Sequence, residues 1–236
     1  MPRGTRLFKI NEPLREGDLL RQLKSAEPLI EEREISEGEK VMLQSIIRNV
    51  EKDDAFIRGE LVYENIVPLR QIDGSVKFDK NAESVSFAFC SNLPFLIILA
   101  DKNTSETVAF KINKMVFGGR DIILKTYFSE KFVQEFLRQN PYILLRCHWA
   151  QLRIPGVNKA ALAGSDVRRA PDLTRYDMHG ERTFIIIKLI ESGWTIGLSR
   201  GGSIVFYSKV TEDEMLGFIR EEIIKKLARL MGWLDV

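Results

Sequence analysis

Residues 183–207 read TFIIIKLIESGWTIGLSRGGSIVFY, three apolar runs separated by glycine-bearing turns at 192–193 and 201–202. Short runs of apolar, β-branched and aromatic residues between such turns are typical of strands, and short connections make neighbouring strands antiparallel. Thr211 follows, with Glu214 three residues on, in the pattern of a helix capping box. The last quarter of the chain therefore predicts an antiparallel meander closed by a helix.

Strands and helices also alternate in the middle of the chain. Residues 84–91 alternate apolar and small or polar residues, as a half-buried strand does. Thr104 is predicted to cap a helix that ends at the glycine pair 118–119, and Ser129 is predicted to cap a second helix. Both helices have apolar residues at helical spacing, so each is expected to pack one face on a sheet.

Residues 40–50 fit a helix about as well as a bulged strand. Within the predicted strand 56–67, Gly59 indicates a bulge or a close approach of another group. The dipeptide 73–74, Asp-Gly, predicts a hairpin turn.

A basic segment, residues 146–182, lies between the two strand-rich parts. It carries seven arginines and lysines against four acidic residues, whereas the whole chain of 236 residues has a net charge of only +2. We predict an α+β fold of mostly antiparallel sheets with helices packed on one face. The predicted organisation is an N-terminal α+β region (1–145), a basic connector (146–182), and an antiparallel meander with a C-terminal helix (183–236).

Catalytic motifs fail when their spacing is examined. Cys147 and His148 are adjacent, so on a strand their side chains point to opposite faces and cannot form a dyad. The dipeptide 171–172, Pro-Asp, followed by FIIIK resembles a metal-nuclease layout, but Ile186 stands where that chemistry needs a carboxylate. We therefore predict no catalytic residue, no metal site and no cofactor.

Nucleic-acid binding is the function that the basic segment favours, since arginine forks suit phosphate oxygens. Trp149 and Tyr176 are expected either to stack on bases or to seal the edge of the core. The predicted nucleic-acid-binding residues are Arg146, Arg153, Lys159, Arg168, Arg169, Arg175, Arg182 and Arg200.

The C-terminal tail places Trp233 and Leu234 beyond the last helical pattern. These residues are predicted either to dock on the protein's own core or to form a partner interface, where aromatic residues are favoured.

Composition narrows the class of protein. The two cysteines, 57 positions apart in sequence as Cys90 and Cys147, form no zinc spacing or disulfide framework, which favours a reducing compartment. The longest uncharged run, 84–100, is interrupted by Asn-Leu-Pro at 92–94, and the first ten residues lack the apolar region of a signal peptide. A cytoplasmic protein without a membrane segment is therefore expected.

The layout resembles the stand-alone N–L1–L2-like subunit of short archaeal Argonaute systems. The resemblance covers the leading strand MPRGTRLFKI, the strand–helix middle (56–137), the arginine-bearing connector and the closing meander and helix (183–230). It implies a non-catalytic protein that completes the nucleic-acid channel of a MID–PIWI partner.

Three functional hypotheses follow. The first is a non-enzymatic accessory subunit that contacts DNA or RNA and forms a hetero-oligomer with a protein partner. The second is a protein-only interaction scaffold. The third is a divergent metal-dependent nuclease that uses Asp166, Asp172, Asp177 and Lys188.

Overall fold

The computed structural model describes residues 3–12, 14–36 and 38–233. Its strands are β1 (Arg3–Ile10), β2 (Leu29–Ser36), β3 (Glu39–Lys52), β4 (Phe56–Arg70), β5 (Val76–Cys90), β6 (Phe95–Ile98), β7 (Ile123–Lys125), β8 (Tyr142–Ile154), β9 (Val157–Ala163), β10 (Glu181–Leu189), β11 (Thr195–Ser199) and β12 (Ser203–Phe206). Its helices are α1 (Glu16–Lys24), α2 (Lys102–Phe117), α3 (Glu130–Gln139), α4 (Asp172–His179), α5 (Glu212–Phe218) and α6 (Lys225–Leu230), with a 3₁₀ turn at Val167–Arg169 and a π-helical turn at Ile219–Ile224. The predicted α+β class with antiparallel pairing is confirmed.

The chain forms two compact units. Lys9–Leu124 make up the N-terminal unit, and Met1–Phe8 together with Lys125–Val236 make up the C-terminal unit. The division differs from the predicted one, because both predicted boundaries, 145/146 and 182/183, fall inside the C-terminal unit. The reason is that the predicted connector supplies most of β8 and all of β9, and β8 pairs with β10 along its length.

In the N-terminal unit, β2 to β6 pair antiparallel in sequence order. Residues 40–50 lie in β3, where Asn49 has a φ of 53° at a register shift, so the bulged strand is confirmed and the helix is not. Gly59 is a close approach: a Cβ there would lie 2.7 Å from Cζ of Phe87. The predicted 73–74 turn joins β4 to β5, with Gly74 at a φ of 85°.

The cap of α2 differs from the prediction. Asp101, not Thr104, is the N-cap: its carboxylate accepts hydrogen bonds from the backbone N–H groups of Asn103 and Thr104 at 2.9 and 3.2 Å. The Thr104 hydroxyl donates to the same carboxylate at 2.8 Å. A carboxylate satisfies several N-terminal donors at once, so the helix begins at the earlier residue. Gly118, in the left-handed conformation, ends the helix as predicted.

In the C-terminal unit the strands pair in the order β1–β12–β11–β10–β8–β9, and these neighbours are antiparallel. The predicted cap at Ser129 is confirmed, since its hydroxyl accepts from the Phe132 N–H at 3.1 Å. The predicted capping box is also confirmed between Thr211 and Glu214.

In this unit, one face of the sheet packs against the core. Residues directly opposite each other on neighbouring strands have their side chains on the same face of the sheet. The strand register therefore places the buried residues of β8, β10, β11 and β12 in a row on one face. Phe218 of α5 lies 5.8 Å from Phe206 and 6.4 Å from Phe136 of α3, and Tyr176 of α4 lies 5.3 Å from Trp149, all measured between ring centroids. The helices of this unit therefore pack on one face, as predicted. The buried row consists of Cys147, Trp149, Ile185, Ile187, Ile196, Leu198, Ile204 and Phe206.

Within the described parts of the chain, no helix is both long enough and apolar enough to cross a membrane.

Candidate nucleic-acid interface

The eight cations predicted to bind nucleic acid divide into two groups in the structure. The first group is exposed and, among the described residues, forms either no ion pair or, for Arg169, only a long one of 4.0 Å to Asp166. The second group is held by carboxylates at short distance. The first group is Arg146, Arg153, Lys159, Arg169 and Arg175; the second is Arg168, Arg182 and Arg200.

Arg182 belongs to the structural interior of the unit. Its Nε donates to Oδ1 of Asp177 at 2.7 Å, and its Nη2 donates to Oδ2 of the same carboxylate. The same Oδ1 accepts from Nε1 of Trp149 at 2.8 Å. The hydrogen bonds to Asp177 raise the pKa of Arg182 further above its ordinary range. One carboxylate on α4 therefore joins α4 to strands β8 and β10.

Two further arginines have carboxylate partners at the surface. Arg168 donates to both oxygens of Asp166, at 2.8 and 2.7 Å, and its guanidinium lies 5.0 Å from the ring centroid of Tyr142. The hydrogen bonds from Arg168 lower the pKa of Asp166 to about 2. Arg200 forms an ion pair with Glu181. These two arginines are less available to a ligand than the unpaired cations.

A cleft of about 280 Å³ opens beside the start of α3. Its charged side chains are the carboxylates of Glu130, Asp177 and Glu181 and the guanidiniums of Arg182 and Arg200. Because both guanidiniums are already paired, this cleft has no surplus of positive charge. It is a poor candidate for a polyanion site.

In the C-terminal unit, the face of the sheet opposite the helices has a different character, and we call it the open face. Arg146 and His148 of β8 project there, because their neighbours Cys147 and Trp149 are buried on the helix side. The register extends the open face along three neighbouring strands. Its members are Lys159, Ala161 and Ala163 of β9, Phe184, Ile186 and Lys188 of β10, and Thr195, Gly197 and Ser199 of β11.

Positive charge predominates on the open face. Arg146, Lys159 and Lys188 are exposed and have no ion pair within the described residues. The one carboxylate that the pairing of β8, β9, β10 and β11 places there is Glu181, opposite Ala150, and it is paired with Arg200. Sequence reasoning assigned Lys188 to a nuclease hypothesis and missed its place beside Arg146, because TFIIIKL is apolar on both faces and does not show which face is open.

The catalytic alternatives do not assemble. Cys147 is fully buried, and burial raises the pKa of its thiol to about 12. His148 points to the other face and packs against Phe184, with ring centroids 5.6 Å apart. Within residues 3–12, 14–36 and 38–233 there is no group of three or more His, Cys, Asp or Glu side chains placed to hold a metal ion, so Asp166, Asp172 and Asp177 do not form one.

The aromatic side chains singled out in the sequence are Trp149, Tyr176 and Trp233. Trp149 is 1% exposed and, with Tyr176 against it, seals the edge of the core, which was one of the two predicted roles. The Trp233 side chain is 43% exposed, and its backbone N–H donates to the Ala228 carbonyl at 2.8 Å. Leu234 lies outside the described residues, so the interface predicted for this pair stays a prediction.

No known protein family matches the chain, and a comparison with curated proteins finds no similar sequence.

Proposed function

We propose that the chain is a non-enzymatic accessory subunit that binds nucleic acid on the C-terminal unit. The observation that carries the proposal is the open face, where Arg146, Lys159 and Lys188 are exposed without carboxylate partners among the described residues. The opposite face of the same strands is apolar and covered by helices. Cations concentrated on one accessible face fit a polyanion better than a small anionic ligand.

Binding on this face is electrostatic and tolerant of sequence. Each phosphate neutralised by a lysine or arginine releases counterions, so the affinity falls as salt rises. Arg153, near the β8–β9 turn, is exposed and adds positive charge at the end of the sheet, whereas Arg175 is exposed on α4, which packs on the opposite face. Arg168, Arg182 and Arg200, which were part of the predicted set, contribute less because carboxylates already hold them.

The proposal includes a protein partner and a cytoplasmic location. The resemblance of the layout to the stand-alone subunit of short Argonaute systems supports a hetero-oligomer in which this chain completes the channel of a catalytic partner. Co-expression with such a partner, followed by size-exclusion chromatography, tests the assembly directly; elution as separate species contradicts it.

Fluorescence anisotropy with labelled DNA and RNA across a salt series tests the binding. The informative variant carries Arg146→Gln, Lys159→Gln and Lys188→Gln. Removing one cation that neutralises a phosphate reduces the slope of log K against log salt by about 0.7 for a single strand, so the slope should fall by about 2.

The matched control carries Arg33→Gln, Arg70→Gln and Lys77→Gln, which remove the same charge from exposed positions of the N-terminal unit. Its slope should stay close to that of the unmodified chain. Equal reductions of the slope in the two variants, or no binding by the unmodified chain at low salt, would contradict the proposal.

A protein-only scaffold is the second candidate, and a feature of the N-terminal unit favours it. The outer part of the β4–β5 hairpin exposes apolar side chains, with Ile72 at its turn fully exposed. Exposed apolar groups in such number are typical of protein contacts. If the scaffold is the main function, a partner should co-purify after nuclease treatment and should no longer do so with Ile72→Ser and Phe78→Ser. The exposed group is Val67, Leu69, Ile72, Val76 and Phe78.

A further inference from the structure

The open face carries three aromatic rings in a diagonal row, which we call the ring row: His148, Phe184 and Tyr207. His148 of β8 lies directly opposite Phe184 of β10, and their rings meet edge to face at 5.6 Å. Tyr207 follows β12, donates its backbone N–H to the Thr195 carbonyl and lies beside Gly197 on the same face. The row crosses β8, β10, β11 and the end of β12, on the order of 15 Å at the usual strand spacing.

Gly197 makes this arrangement possible. A Cβ at this position would lie 2.8 Å from Cζ of Phe184 and 3.2 Å from Cε2 of Tyr207. Two rings therefore come together over a backbone that carries no side chain. Both rings lie over Gly197 on the open face.

The rings remain accessible to a ligand. Tyr207 is 42% exposed, and His148 and Phe184 are half-buried, whereas Phe206 on the helix side of the sheet is fully buried. Rings that served only the core would be expected on the covered face, where the unit has several. The ring row is instead the aromatic part of the face that carries the unpaired cations.

Cations flank the ring row on both sides along the strands. Arg146 and Lys188 lie on one side, at the levels of Gly197 and Thr195. Lys159 lies on the other side, opposite Ala150 and beyond His148. This spacing suits a ligand polymer in which flat rings alternate with negative charges.

We infer that the ring row stacks the unpaired bases of single-stranded nucleic acid while Arg146, Lys159 and Lys188 contact its phosphates. This inference rests on the proposed function and names its substrate class. In a duplex the bases are stacked on each other and their faces are not available, whereas a single strand can lay successive bases on aromatic side chains of an exposed sheet. A row of this length accommodates two or three bases.

Three 12-nucleotide fluorescent probes test the inference: a mixed-sequence single strand, its duplex, and a single strand of the same length made of abasic sites. The abasic strand keeps the phosphates and lacks the bases. The chain should bind the mixed single strand at least tenfold more tightly than the abasic strand, because stacking contributes substantially for each base.

Tyr207→Leu with Phe184→Leu should abolish that difference and leave the salt slope unchanged, since no cation is removed. The matched control is Tyr127→Leu, which removes an exposed ring between β7 and α3, outside the strands that carry the row, and should keep the difference. In the unmodified chain, 2-aminopurine placed in the strand should be quenched on binding, and this measurement does not depend on the folding of any variant.

Equal affinity for the mixed and abasic strands, or absence of quenching, overturns base stacking but leaves the proposed function standing. Failure of all three probes to bind at low salt overturns both proposals.

Discussion

The two faces of the paired strands β8 and β10 give opposite surroundings to two arginines. On the helix side, the pair of Arg182 and Asp177 is partly buried and bound to Trp149. On the open face, Arg146 has no carboxylate partner within the described residues. Both arginines come from one basic segment. The guanidinium on the covered side is held in the fold by Asp177, and the one on the open side is exposed to solvent.

The largest expected effect is on the covered side. Asp177→Ala removes the acceptor of both Arg182 and Trp149, and leaving partly buried donors unpaired should lower the free energy of unfolding by about 3 kcal/mol. Urea denaturation followed by tryptophan fluorescence and circular dichroism measures the change. Asp172→Ala, on the exposed surface of the same helix, is the control and should cost well under half as much. Similar decreases in the free energy of unfolding for both variants would show that the hydrogen bonds to Asp177 do not contribute more to stability than an exposed aspartate does.

Gly59 and Gly197 each lie under a phenylalanine ring, one in a covered and one in an open part of the molecule. Gly59→Ala in the N-terminal unit pushes against Phe87, which is 1% exposed and has no room to move, so a decrease in stability of about 2 kcal/mol is expected. Gly197→Ala pushes against Phe184, which is half-buried and can turn towards solvent, so a decrease of about 1 kcal/mol or less is expected. Thermal unfolding measures the loss of stability in each variant. A greater loss for Gly197→Ala would mean that Phe184 and Tyr207 are packed as tightly as core residues.

The N-terminal unit has its own pair of contrasting cations. Lys111 is buried and donates to Glu31 at 2.6 Å and to Ser45 at 3.0 Å, while the half-exposed Lys114 donates to the other Glu31 oxygen at 3.0 Å. Burial raises the pKa of Glu31, but the hydrogen bonds from the two lysines outweigh it and lower the pKa below its ordinary value of 4.5.

Glu31→Gln should therefore lower the free energy of unfolding by about 1.5 kcal/mol near neutral pH. A depressed carboxyl pKa gives stability that is present above the ordinary pKa and is lost as the pH falls through the folded-state pKa. The difference between the unmodified chain and Glu31→Gln should accordingly be constant at neutral pH and shrink below about pH 4.5. Urea denaturation between pH 3 and 7 measures it, and a difference that grows in acid would have the wrong sign. Glu32→Gln, on the same strand with a more exposed carboxylate, is the control.

The smallest effect is expected on the open face. Arg146→Ala should change the free energy of unfolding by no more than about 0.5 kcal/mol, because the side chain is exposed and has no ion pair within the described residues. The same variant should weaken nucleic-acid binding. Denaturation and anisotropy on one preparation separate the two quantities; a marked decrease in stability would place Arg146 with the structural arginines.

Elements with strong local chemistry are predictable from the sequence. The Thr211 capping box, the Ser129 cap and the glycine turns of the meander depend on neighbours within a few residues. The predicted cap of α2 was wrong because Asp101 and Thr104 both satisfy the local rules for a cap, and only the hydrogen bonds of the folded chain identify the aspartate. β9, with the sequence VNKAALA, has too little apolar alternation to be recognised as a strand without its partner β8.

The candidate site was only half predictable for a similar reason. Composition located the basic segment, but which of its arginines are free depends on strand register and on helix α4. The ring row joins residues 148, 184 and 207, which are brought together by pairing across four strands. No local pattern in the sequence contains all three.

Lys159 also lies on an edge strand of the sheet, β9. Among the described residues β9 pairs only with β8, so its other edge presents backbone donors and acceptors to the surroundings. Its seven residues contain one charged side chain, Lys159, and three alanines. Uncharged edge strands invite pairing with a second chain, and a lysine there discourages it. We therefore expect the charge of Lys159 to oppose pairing between copies of the chain, and its neutralisation to favour self-association.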